Sequence, residues 1–148
     1  MRFVIGIVAS LMLCPAISLG QGFGSPDALV QFAYEKISPQ DGLATRSYFT
    51  DSLNGLIIAE LARDDGEGIG PDFNPLLHGP GSGGLDFTVA APIVSGDTAS
   101  VEMSISKPTV ETIHLLLISQ SDGWKVDDIV YADGMRLSEI LAADPLLN

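Results

Sequence analysis

The sequence predicts an α+β fold in which helices pack on one face of an antiparallel sheet. Apolar residues recur at helical spacing near both ends of the chain, whereas between positions 85 and 131 they alternate with other residues. Residues 64–84, which are rich in glycine and proline and contain no repeat, separate the N-terminal helical patterns from the alternating ones. We interpret this stretch as a loop within a single domain.

The first twenty residues differ in composition from the rest. Arg2 precedes an apolar run over residues 3–17, and Ser18 and Gly20 are small residues of the kind found before a cleavage site. This pattern predicts a secretory signal peptide, residues 1–20, and an exported protein, periplasmic or extracellular, cleaved near Gly20. The run is shorter than the roughly 20 residues of a membrane-spanning helix, so we expect no stable membrane span.

The chain has one cysteine, Cys14, within the apolar run. The residue before a lipid-modified cysteine is normally small, but here it is Leu13, so we favour Cys14 as part of the run over lipidation. The predicted domain, residues 21–148, contains no cysteine. Disulfides, a thiol nucleophile and a cysteine-based zinc site are therefore excluded from it.

The charge balance is strongly acidic, with 7 basic and 19 acidic residues and a formal net charge of −12. Such a surface repels nucleic acid and anionic lipid head groups, so we expect no nucleic-acid partner. A cationic partner, a divalent metal or simple solubility fits better.

Three helices are predicted. The first opens with Ser25 as cap and Pro26 in the first turn; the second begins near Thr50 or Asp51; the last is short and ends at Asp144. The apolar residues expected on their buried faces are Leu29, Phe32, Ala33 and Ile37, then Leu53, Leu56, Ile57 and Leu61, then Leu137, Ile140 and Leu141. In the loop, only residues 72–77 are expected to pack.

A first hairpin is predicted from two alternating runs, 85–93 and 99–105, on either side of Ser95-Gly-Asp97. Both apolar sets occupy odd positions, so a three-residue loop is needed to bring them to one face. The expected register places Ile93 opposite Ala99 and Phe87 opposite Ile105.

A second hairpin is predicted around the turn Asp122-Gly123, between strands 109–121 and 124–131. The expected pairs are Ser121 with Trp124, Leu117 with Asp128 and His114 with Tyr131. The apolar face then carries Ile113, Leu115, Leu117, Trp124, Val126, Asp128 and Val130, and the mixed face carries His114, Leu116, Ile118, Lys125, Asp127, Ile129 and Tyr131. The adjacent acids Asp127 and Asp128 are thus expected on opposite faces, and Trp124 is expected to cover the end of the core rather than to form a ligand platform.

Four stretches resemble a known family: Asp86–Val89, Gly96–Val101, Leu115–Ile118 and Asp122–Ile129. They are similar to small secreted bacterial proteins of an uncharacterised family related to the nuclear transport factor 2-like superfamily. The resemblance implies a cone in which a curved sheet wraps a long helix and leaves a pocket at its open end. With the elements predicted above, we expect a cone-like fold with N-terminal helices packed on a curved four-stranded antiparallel sheet and a short C-terminal helix. Some members of that superfamily are isomerases or dehydratases with an Asp, His or Tyr in the pocket, and many only bind ligands or proteins. No enzymatic branch matches here residue by residue.

Asp128 is the first candidate site residue, because the expected register places a lone carboxylate opposite Leu117 on the apolar face. Desolvation there would tune it as a general base. The structural alternatives are that it accepts hydrogen bonds from a helix end, for example the helix that begins at Ser25, or that it lies beyond the edge of the core. A second constellation joins His114, Asp127 and Tyr131 on the mixed face, where Tyr131 would orient the imidazole; a surface histidine is the alternative we favour.

Other chemistries find little support. The acids of the glycine-rich loop, Asp64, Asp65, Glu67 and Asp72, lack the order of a calcium hand, and we interpret the loop as solvated. No phosphate cradle and no Gly-x-Ser-x-Gly nucleophile motif occurs, and no cofactor is expected. With only His78 and His114 available, a zinc site is not expected.

Our first hypothesis is therefore a non-catalytic binding or interaction module for an apolar small ligand or a partner protein. The second is a small pocket enzyme, of isomerase or dehydratase type, with Asp128 as its base. A third is an inhibitor or immunity-type protein that uses its negative surface to occupy a basic site.

Overall fold

The structure, a computed structural model, describes residues 22–36, 47–63, 73–77, 79–80, 85–106 and 110–143. Several predictions fall outside these residues: the signal peptide 1–20, Cys14, Ile37, the acidic loop 64–72, His78 and the helix end at Asp144. The described elements are α1 (Pro26–Glu35), α2 (Asp51–Leu61), β1 (Phe73–Asn74), β2 (Gly79–Pro80), β3 (Phe87–Val89), β4 (Ile93–Ser95), β5 (Thr98–Ile105), β6 (Glu111–Gln120), β7 (Gly123–Val130) and α3 (Leu137–Ala142).

The architecture is α+β, as predicted, but the main sheet has five strands instead of four. All of its pairings are antiparallel, in the order β3-β5-β6-β7, and β4 also pairs with β5. The short strands β1 and β2 form a separate pair that was not predicted. The core is formed by one face of the sheet and by apolar residues of the three helices: Leu29, Val30, Ala33, Leu53, Ile57, Val101, Met103, Ile113, Leu115, Leu117, Val126, Ile129, Leu137 and Leu141.

The helix predictions are largely confirmed. Thr50 caps α2 by accepting a hydrogen bond on its Oγ from the Leu53 amide at 3.3 Å. Ser25 occupies the corresponding position before α1, but its side chain makes no capping hydrogen bond. Phe32 was wrongly assigned to the buried face: it is 36% exposed and packs against the rings of Phe23 and Tyr48 at the margin of the core.

The first predicted hairpin is correct at one end and wrong at the other. Phe87 pairs with Ile105 as expected, but Ile93 pairs with Ser100 and is 77% exposed. The strand is interrupted between β3 and β4, where Pro92 lacks the amide needed for the ladder. The turn is also shorter than predicted, because Ser95 pairs with Thr98 across Gly96-Asp97, with Gly96 at a positive φ of 62°.

The second hairpin turns earlier than predicted. Gln120 pairs with Gly123, so the turn residues are Ser121 and Asp122. Gly123 is needed for a different reason: at φ 116°, an added Cβ would lie 2.6 Å from the carbonyl carbon of Gly22. The segment that contains Gly22 pairs with β7 at Phe23, where the Trp124 amide donates a hydrogen bond to the Phe23 oxygen at 3.0 Å.

A β-bulge in β7 changes the face of the sheet to which the residues after it point. Leu117 pairs with Val126, but Leu116 pairs with Asp128, which leaves Asp127 without an opposite residue. Because of this extra residue, Ile129 and Tyr131 point into the core, and Asp128 shares a face with Leu116. The predicted facing of Asp128, Ile129, Val130 and Tyr131 is therefore wrong, whereas Trp124 packs against the core as expected.

Candidate functional site

A groove of about 640 Å³ lies between the sheet, the start of α2 and the start of α3. Its apolar lining includes Leu53, Leu56, Ile93, Leu116 and Ile118, and its uncharged polar lining is Ser52, Ser95, Thr98, Ser100 and Ser138. Three charged residues complete it: Asp127, Asp128 and Arg136. The volume falls in the range of small-molecule pockets, about 300–1,000 Å³.

The floor of the groove follows from strand pairing. Ile93 pairs with Ser100, Ser100 with Leu116, and Leu116 with Asp128, so these four residues form a row across β4, β5, β6 and β7. Directly paired residues point to the same face of a sheet. The row therefore runs from an exposed apolar end at Ile93 to a carboxylate at Asp128.

Asp128 is buried, only 6% exposed, and it holds the start of α3. Its Oδ1 accepts hydrogen bonds from the amides of Ile129 at 2.9 Å and Ser138 at 3.0 Å, and its Oδ2 accepts one from the Ser138 hydroxyl at 2.8 Å. The N-cap position of α3 is Arg136, whose side chain makes no capping hydrogen bond. Asp128 thus supplies from β7 the acceptor that the helix lacks.

Arg136 compensates the charge of Asp128. Its Nη1 lies 3.5 Å from the Asp128 Oδ2, and its side chain is 47% exposed. Both carboxylate oxygens of Asp128 therefore already face donors. A general base needs an oxygen free to approach the proton of a substrate, so this geometry favours the structural alternative for Asp128, with α3 as the helix concerned and not the helix that begins near Ser25.

Asp127 is the neighbouring acid, and its surroundings differ. It is exposed, and its Oδ1 accepts a hydrogen bond from the Thr50 hydroxyl at 3.1 Å. Thr50 is also tied to β7 through its amide, 2.9 Å from the Val126 oxygen. The prediction that the two acids point to opposite faces is wrong, because the bulge brings both to the groove.

The structure does not bring His114, Asp127 and Tyr131 together. His114 pairs with Glu102 and Val130 and is half-buried, whereas Tyr131 is buried in the core and donates its hydroxyl to the Pro75 oxygen at 2.7 Å. Burial raises the pKa of Tyr131, and nearby negative charges, that of Asp128 first, raise it further. Tyr131 is therefore a neutral anchor for residues 75–77, away from the groove.

Tyr34 acts in the same way on the same segment. Its hydroxyl donates to the Leu76 oxygen at 2.7 Å, and burial raises its pKa well above the usual value. Leu76 is fully buried, so the two tyrosines fix a turn that closes the core. This confirms the prediction that residues 72–77 pack, as far as residues 73–77, which the structure describes.

The sequence singled out Asp128, but it did not point to Arg136, to Ser138 or to the row of paired residues that forms the floor of the groove. One signal was available for Ser138: the start of α3 has Arg136 at its cap, so an acceptor had to come from elsewhere in the chain. No signal in the sequence locates the bulge. Within the described residues, no three side chains of the His, Cys, Asp or Glu type converge as metal ligands.

Comparisons with known proteins add no relative: no family model, curated protein or solved structure matches the chain. The resemblance to the nuclear transport factor 2-like superfamily therefore stays a prediction. None of the helices in the described part of the chain has the length and apolar character needed to cross a membrane.

Proposed function

We propose that this protein is an exported, non-catalytic binding module of the nuclear transport factor 2-like kind, and that its groove holds a small ligand with an apolar body. The observation that carries the proposal is the groove itself: about 640 Å³, with apolar side chains from α2, β4 and β6. Pockets of this size with a few placed polar groups are the usual form of small-molecule sites.

The contacts of Asp128 support binding over catalysis. A pocket enzyme with Asp128 as base requires that carboxylate to be available, yet its oxygens face the Ser138 amide, the Ser138 hydroxyl and Arg136. His114 and Tyr131, the other acid–base candidates, do not line the groove. The three residues predicted as acid–base candidates, Asp128, His114 and Tyr131, therefore do not support the enzyme alternative.

The test is to fill the groove. Ser100 lies in the middle of its floor, and Ser104 lies on the same face of the same strand but outside the groove, at a similar degree of burial. We expect Ser100→Phe to weaken the binding of a neutral solvatochromic dye by at least about tenfold, or about 1.4 kcal/mol. Ser104→Phe is the matched control and should bind the dye as the wild-type protein does.

Dye emission measured against protein concentration gives both affinities. Equal binding by the wild-type protein and Ser100→Phe would place any ligand elsewhere and contradict the proposal. Absence of dye binding together with turnover of an isomerase or dehydratase substrate would favour the enzyme alternative.

A further inference from the structure

Among the residues that the structure describes, one charge of the groove has no compensating partner. Asp128 and Arg136 lie 3.5 Å apart and offset each other, and Ser138 satisfies Asp128 further. Asp127 accepts a hydrogen bond from the neutral Thr50 hydroxyl at 3.1 Å. It makes no other hydrogen bond or ion pair with the described residues. The three charged residues of the groove lining therefore carry a net negative charge, and it lies at Asp127.

The bulge is what presents this carboxylate. Asp127 is the extra residue between the Val126–Leu117 pair and the Asp128–Leu116 pair, so no cross-strand neighbour covers it. Bulges often re-aim a side chain beside a functional site. Here Asp127 stands next to the start of α2, where it is both exposed and part of the groove lining.

Apolar surface extends away from that carboxylate. The floor row crosses three strand spacings from Asp128 to Ile93, about 14 Å at roughly 4.8 Å per spacing. Leu116 lies in this row, and Leu53 and Leu56 of α2 line the same groove. An occupant that matches both features is elongated, apolar along most of its length and positively charged at one end.

We propose that the ligand class of the groove is an organic cation with an apolar body, an amine-bearing amphiphile whose ammonium group pairs with Asp127. This inference rests on the proposed function and narrows it. The formal charge of −12 acts in the same direction, because the field of the whole chain attracts cations and repels anions.

The experiment compares three probes with the same tail, n-octylammonium, n-octanol and n-octanoate, by isothermal titration calorimetry at concentrations where each is monomeric. We expect n-octylammonium to bind about fivefold tighter than n-octanol, the size of effect of a partly exposed ion pair, and n-octanoate to bind most weakly. Added salt should reduce the preference, because exposed charges are screened.

Asp127→Asn should remove the preference for n-octylammonium over n-octanol and should keep the fold, because Asn still offers Thr50 an acceptor. Glu102→Gln is the matched control: it removes one exposed negative charge from β5 outside the groove and should keep the preference.

The outcomes separate the two proposals. If n-octanol binds but n-octylammonium binds no tighter, or if Asp127→Asn retains the preference, the inference fails and the binding function stands. Tightest binding of n-octanoate, lost in Arg136→Gln, would overturn the inference in favour of an anionic ligand. If no probe binds, both proposals fail.

Discussion

Strand β7 and the residue that directly follows it anchor two segments by buried polar groups, and the two anchors differ in charge. On the groove face, Asp128 holds the start of α3 through Ser138. On the core face, Tyr131 holds the turn at Pro75. Both residues are buried, at 6% and 2% exposure.

The difference shows what each anchor requires. A buried carboxylate must be compensated on both oxygens, so Asp128 is surrounded by amide, hydroxyl and guanidinium donors. A neutral phenol needs only one partner, which the Pro75 oxygen supplies. The buried acid is consequently the one least available for chemistry, and its exposed neighbour Asp127 is the one available to a ligand.

The largest effect is expected from removing the charged anchor. Asp128→Ala leaves the Ser138 amide and Arg136 without their acceptor, so we expect a loss of about 3 kcal/mol in the free energy of unfolding. Asp128→Asn keeps one acceptor oxygen and should recover part of it. Urea denaturation gives the free energy of unfolding of the wild-type protein and of both variants. A loss below about 1 kcal/mol for Asp128→Ala would contradict the anchoring role.

The second-largest effect is expected at high pH, where ionisation of the buried tyrosines should lower the free energy of unfolding. The folded-state pKa values of Tyr34 and Tyr131 are raised, so the stability they contribute is complete below the unfolded pKa of about 10 and is lost as pH rises above it. With about 1.4 kcal/mol per pH unit and group, we expect a fall of roughly 2 to 3 kcal/mol by pH 11.

The paired variant Tyr34→Phe/Tyr131→Phe is the control for this pH effect, because it removes both titrating groups. Its unfolding free energy should change less between pH 9 and pH 11 than that of the wild-type protein. Parallel pH curves for the two proteins would show that these tyrosines are not the groups responsible.

At neutral pH, removing one neutral anchor should have a smaller effect. Tyr131→Phe loses the hydrogen bond to Pro75 and should cost about 1 kcal/mol. Tyr48→Phe provides a matched control, because Tyr48 packs by its ring against Phe23 and Phe32 at the margin of the core. Thermal unfolding should separate the two variants; equal melting temperatures would argue that the buried hydroxyl contributes nothing.

The smallest effect on stability is expected at Asp127. Asp127→Asn changes an exposed charge with a single neutral partner, so its unfolding free energy should stay within about 0.5 kcal/mol of the wild-type value. The same urea titration tests this. A loss as large as that of Asp128→Ala would mean that both acids are structural.

The helices and the pattern of the central strands were predictable because their signals are local. Thr50 at the cap of α2 and the alternation of Val101, Met103 and Ile105 are each read within one element. The registers were harder to predict. Pro92 was a visible signal that a single strand could not continue, whereas the close approach of Gly22 to Gly123 is a tertiary contact.

The site was predictable only in part for the same reason. An acid among apolar residues drew attention to Asp128, and capping of a helix end was one of its expected roles. The helix is α3, ten residues further along the chain, and the bulge that turns Asp128 and Asp127 to the groove depends on how β6 and β7 pair. Neither contact has a signature in the residues that flank the acids.

The most direct test of the binding role is an amide-shift titration by NMR with n-octylammonium chloride. Our account predicts saturable shifts at Ser52, Ser100 and Leu116, which line the groove, while Leu76 and Tyr131 on the core side stay unchanged. Shifts that cluster away from the groove, or that rise without saturating, would contradict it.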